Sequence, residues 1–145
     1  MIKNLKVNSI DKSLNKIFFH RLVSLLKKEY HFNIELLLIN FVSSEYLLSI
    51  NKKFLGHNYP TDIITFNYSK KKLLFDAELY ISLQDAEKNA KTYAVSLEQE
   101  LMRLVIHGIL HLLGYDDKIP LKKSVMKTME DKLVNEYIFL IRQSE

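Results

Sequence analysis

The chain has 145 residues, 48% hydrophobic and 26% charged, a composition that closes a single core over residues 1–145 and excludes a disordered chain. It has no cysteine, which rules out disulfides and thiolate ligands and leaves His, Asp, Glu and backbone oxygen for any metal ion. No apolar run approaches the roughly 20 residues of a membrane span, and the first residues lack the apolar segment and small-residue cleavage site of a signal peptide. A cytoplasmic protein with no membrane contact is therefore expected.

Residues 2–7 read as a first strand. Over residues 13–30, Leu14, Ile17, Phe18, Leu22 and Leu25 recur at helical spacing. Residues 34–41 are short and centre on the apolar run Leu36-Leu37-Leu38-Ile39, which predicts a strand buried on both faces. Ser43 or Ser44 caps a helix running to about residue 54, with Leu47, Leu48 and Ile50 inward. Residues 57–60 form a turn into a β-branched strand at 61–66. A short polar loop then leads to a strand at 74–82, and the two strands suggest an antiparallel hairpin. Ser82-x-x-Asp85 and Ser96-x-x-Gln99 have the form of capping boxes for two successive helices. The second carries Leu101, Leu104, Val105 and Leu112 on its packing side and stops at Gly114, because glycine tolerates the left-handed helix-ending conformation. Pro120 opens a last long helix with Leu121, Val125, Met129, Leu133, Tyr137 and Leu140 as its apolar stripe. The order βαβαββααα is that of an α+β domain, with a small mixed sheet of about four strands packed by about five helices.

Chemistry concentrates in residues 107–117, His-Gly-Ile-Leu-His-Leu-Leu-Gly-Tyr-Asp-Asp. His107 and His111 lie four apart on a helix, so both imidazoles project from one face and can meet on one ion. Gly114 ends the helix and reverses the chain, which brings Asp117 back as a third ligand. The pattern His-x3-His-x2-Gly-x2-Asp has the ligand spacing of metzincin proteases except in its last ligand type. Those proteases carry a general-base Glu directly after the first histidine; here that residue is Gly108, and a peptidase lacks its proton acceptor. Three protein ligands with one open position describe a catalytic metal site, with zinc the favoured ion and other divalent metals possible.

The same segment resembles the signature of the YbeY-type endoribonucleases, His-Gly-x-Leu-His-Leu-x-Gly-Tyr-Asp-His, and departs from it only at Asp117. Further blocks are similar to those of the family: Ile50-Asn51-Lys52-Lys53-Phe54, then Pro60-Thr61-Asp62-Ile63-Ile64-Thr65-Phe66, then Ala77-Glu78-Leu79-Tyr80-Ile81-Ser82. The resemblance implies an α+β fold and a zinc-dependent hydrolase cutting single-stranded RNA, active in maturation of small-subunit rRNA and in ribosome quality control. The implied partners are rRNA and the ribosomal small subunit or its associated factors. The alternative is a ribosome-associated RNA-binding factor whose metal is structural.

Two departures bear on activity. Asp117 replaces a neutral ligand by an anion, which lowers the net charge of the site by one and can change metal preference. The family's basic residue after the Asn-x-x-Tyr element falls at Leu55, which cannot hold phosphate. Lys52, Lys53 and His57 are candidates to bind RNA in its place. Arg103, four residues before His107, is a candidate to contact phosphate or the transition state, or else pairs within its helix with Glu100 or Gln99. The lysine clusters at 27–28, 52–53, 70–72 and 122–123 attract phosphate without reading bases, or simply keep the surface soluble. Asp62 reads as a turn or strand-start residue, Glu78 as a support for a ligand histidine or a solvated strand position, and Tyr59 and Tyr115 as packing or base-stacking groups.

Overall fold

The structure, a computed structural model, describes residues 1–57 and 61–144. Its elements follow in the order β1 (Leu5–Ser9), α1 (Lys16–Tyr30), β2 (Asn33–Val42), α2 (Ser44–Leu55), β3 (Ile63–Asn67), β4 (Leu74–Ser82), α3 (Leu83–Tyr93), α4 (Leu97–Leu112), α5 (Pro120–Tyr137) and a short α6 (Phe139–Ser144). The four strands form one mixed sheet ordered β1-β2-β4-β3. β2 lies parallel to both β1 and β4, and β3 closes the edge antiparallel to β4, as the hairpin reading requires.

The pleat divides the sheet into two unequal faces. Leu5 and Val7 of β1, Leu37, Ile39 and Phe41 of β2, and Phe75, Ala77, Leu79 and Ile81 of β4 all enter the main core, where α1 and α4 meet them. The opposite face carries a much smaller cluster of Val42, Leu47, Ile50 and Ile64 under α2. β2 is accordingly not buried on both faces. Leu37 and Ile39 are fully buried, whereas Leu36 is 38% exposed, because α2 does not extend over that part of the sheet. The uninterrupted run Leu36-Leu37-Leu38-Ile39 hides the period-2 alternation in the sequence.

The helix starts follow local hydrogen bonding. Ser43, Ser82 and Ser96 each accept the backbone N–H three residues on, so their helices begin with one of the four orphan donors satisfied. α1 is capped by Asn15 rather than begun at residue 13, since Ser13 is held in a turn by the Asp11 carboxylate. Its buried face is Phe18, Phe19, Leu22, Val23 and Leu26, with Ile17 exposed. α5 also differs from its expected stripe. Met126, Glu130, Leu133, Val134 and Tyr137 face inward, while Leu121 and Val125 are 72% and 46% exposed. Repeated steps of four residues drift about 40° per step around a 3.6-residue helix, so the early members of that stripe rotate out to solvent. No helix among the described residues is long and apolar enough to cross a membrane.

Candidate metal centre

α4 is the buried backbone of the site. Leu101, Met102, Val105, Ile106 and Ile109 are fully buried against the sheet and its neighbours, which leaves His107 and His111 on one flank of the helix. Gly108 lies against the sheet, where a Cβ would come within 2.9 Å of both Leu79 Cδ atoms and 3.3 Å of Ile63 Cδ1. A side chain there points into β3 and β4. A longer side chain at this position would have to displace Leu79 and would face the sheet, so residue 108 offers no general base to the histidines.

The helix closes at Leu113 with backbone bonds from Leu113 and Gly114 to the last carbonyls, and Gly114 takes φ +105, a conformation that favours glycine. The reversed chain returns Asp117 over the helix end. His107 Nε2 stands 3.1 Å from His111 Nε2, and the two Asp117 oxygens lie 3.7 Å from His107 Nε2 and from His111 Nε2. Ligands held tetrahedrally at about 2.0–2.2 Å from zinc stand about 3.3–3.6 Å apart, so the observed separations bracket the requirement. Three potential ligand atoms thus lie within 4.8 Å of one another, and they are the three expected. Their side chains are 19%, 29% and 40% exposed in chain order, so the group opens to solvent on the Asp117 side. Asp116 turns away, accepting from the Lys118 N–H and Lys122 Nζ, and these contacts hold its carboxyl below the usual range.

The surroundings contain groups that local spacing could not reveal. Glu130, on α5, accepts a hydrogen bond from His107 Nδ1 at 2.6 Å and is only 9% exposed. Burial works to lower the His107 pKa, but the hydrogen bond and charge of Glu130 outweigh it and the net shift is upward. Among the described residues His111 has no such carboxylate partner, and burial and the nearby His107 charge both lower it. A metal takes neutral imidazole, so binding at the pair would compete with protonation of His107. Beside this pair, Asn89 of α3 donates both amide hydrogens, one to Asp62 Oδ2 and one to Glu100 Oε2, each at 3.2 Å. Burial raises both carboxyls. Asp62 is thus a half-buried network residue facing the His107 charge, beyond the strand-start role expected of it.

The other candidates fall differently. Arg103 pairs neither with Glu100 nor with Gln99. It bonds to Asp131 Oδ1 at 2.8 Å and approaches Glu130 Oε1 at 3.5 Å, because α5 packs across α4 at this level. Glu78 supports no histidine. It accepts from the Tyr80 and Tyr68 hydroxyls at 3.0 and 3.3 Å on the sheet face away from α4, and burial together with this carboxylate pushes the Tyr80 pKa up to about 12. Lys52, Lys53, Leu55 and His57 are all exposed at the end of α2, with the Lys53 ammonium 5.2 Å from the centre of the Phe54 ring. They are not among the three converging residues. Tyr115 packs against the main core, while Tyr59 and Pro60 lie outside the described residues.

Fold and site together define an α+β domain presenting a two-histidine, one-carboxylate group at the end of a buried helix. Comparison with known proteins places that description. The family described as Endoribonuclease YbeY matches residues 1–138. Endoribonuclease YbeY of Chlorobium phaeobacteroides is 43% identical over 110 residues, covering 76% of this chain and 77% of the relative. That of Chlorobium limicola is 35% identical over 130 residues, covering 90% of each. The solution structure of TM1509 from Thermotoga maritima superimposes with a TM-score of 0.68 at 26% identity, covering 97% of this chain and 93% of that one. The chain belongs to the YbeY endoribonuclease family.

Proposed function

We propose that this chain is a zinc-dependent endoribonuclease that cuts single-stranded RNA, acting in the cytoplasm in small-subunit rRNA maturation and ribosome quality control. The observation that carries the reading is the convergence of His107, His111 and Asp117 at ligand separations on an open flank of α4. A divalent ion held there supplies Lewis acidity toward a phosphoryl oxygen and makes water a better nucleophile near neutral pH. The chain's own residues do the rest. The α4 core holds both histidines in register, and the exposed side leaves room for a polymer. Lys52, Lys53 and His57 are the basic groups proposed to contact the RNA backbone.

The second reading, an RNA-binding ribosome factor with a structural metal, draws on two observations. Leu55 stands where the resemblance expects a basic residue, and Arg103 is engaged by two carboxylates. The test uses purified protein with a single-stranded rRNA fragment and a duplex of the same sequence. Cleavage of the single strand, its loss on chelation and its return with added zinc are expected. An intact single strand after incubation with metal-loaded protein overturns the endoribonuclease reading.

A further inference from the structure

The proton and charge relations around His107 extend well beyond the three converging residues. Glu130 sits in an otherwise apolar stripe, between Met126 on one side and Leu133 and Val134 on the other. A buried carboxylate is costly unless it is paired, and apolar residues of similar volume usually serve stability at least as well. Its two oxygens have separate partners. Oε2 takes the His107 Nδ1 hydrogen at 2.6 Å, and Oε1 faces Arg103 Nη1 at 3.5 Å. Arg103 is in turn anchored by Asp131 at 2.8 Å. With Nδ1 donating, the neutral His107 ring keeps its free lone pair on Nε2, the nitrogen that faces His111 and Asp117.

We propose that Glu130 is a positioning residue for the metal centre, and that the Asp131–Arg103 pair holds its carboxylate in place. The inference rests on the metal-site reading above. A line of four side chains, Asp131–Arg103–Glu130–His107, then runs from the α5 surface to the ligand and couples the packing of α5 on α4 to metal affinity. An anionic acceptor at Nδ1 fixes the tautomer and the ring plane and makes Nε2 a better donor to a metal. Arg103 thereby belongs to the support of the centre. The phosphate contact considered for it from sequence would require it to leave both acids.

Zinc is titrated into the metal-free wild type, Glu130→Gln and Arg103→Gln at one fixed pH against a competing chelator. The melting temperatures of the metal-free forms are measured beside them. Glu130→Gln is expected to weaken zinc binding by roughly 10–100-fold, the range seen when the outer partner of a ligand histidine is lost. Arg103→Gln is expected to weaken it in the same direction by a smaller factor. A residue with only a packing role would lower the metal-free melting temperature and leave zinc affinity unchanged, and that result overturns the proposal. If Glu130→Gln does not fold, Arg103→Gln decides: unchanged zinc affinity with weakened RNA binding returns Arg103 to phosphate and removes the relay. A wild type that binds no zinc defeats both this inference and the site reading, whereas normal wild-type binding with unaffected variants defeats this inference alone.

Discussion

His111→Ala is expected to leave a folded protein that no longer holds its metal and cuts RNA more than about 100-fold more slowly, a larger loss than removal of an outer partner gives. The histidine lies near the last turn of α4 with its side chain 29% exposed, so truncation opens no closed cavity. A half-buried substitution of that kind costs about 1 kcal/mol, and the melting temperature of the metal-free variant should fall by only about 2–4 °C. What remains is a two-ligand set, His107 and Asp117, below the three protein ligands of a catalytic zinc site. Metal analysis after dialysis and single-turnover cleavage check the two halves of the expectation. One bound ion per chain in the variant would show that His111 lies outside the centre.

Gly108→Val is expected to destabilise the whole domain, through packing and not through metal chemistry. Even a single Cβ at residue 108 meets both Leu79 Cδ atoms at 2.9 Å, and Leu79 is fully buried, so it has no solvent to move into. Overpacking of this sort costs about 1–3 kcal/mol. With about 2–4 °C per kcal/mol in a domain of this size, the melting temperature should fall by several degrees. Gly108→Ala should fall less, since alanine gains about 1 kcal/mol of helix propensity over glycine. The mechanism predicts coupling: Leu79→Ala should cost less in the Gly108→Val background than in the wild type. Additive losses measured by thermal denaturation would locate the strain elsewhere. Because α4 also carries His107, valine should weaken zinc binding in parallel.

These two residues also illustrate what a single sequence can and cannot disclose. His107, His111, Gly114 and Asp117 lie within eleven residues, and helix geometry with one left-handed turn dictates where they go. No tertiary information was needed for that part of the site. Glu130 is 23 residues from His107 in sequence and belongs to another helix, so no spacing rule connects them. Its one trace in the sequence is an acid at the inward spacing set by Met126, Leu133, Val134 and Tyr137, a pattern obscured by the competing run of Leu121, Val125 and Met129. Asn89 is similar: its junction with Asp62 and Glu100 exists only once α3, α4 and the start of β3 are packed. The strand order follows the same logic. The β3–β4 hairpin was legible because its loop is short, while the insertion of β2 between β1 and β4 depends on contacts across the whole chain.

The ligand count of the bound metal tests the central claim most directly. X-ray absorption on the zinc-loaded wild type should report two imidazoles and one carboxylate from the protein, with a fourth position held by exchangeable water. Four protein ligands and no exchangeable water would contradict a catalytic centre and leave a structural ion in an RNA-binding protein.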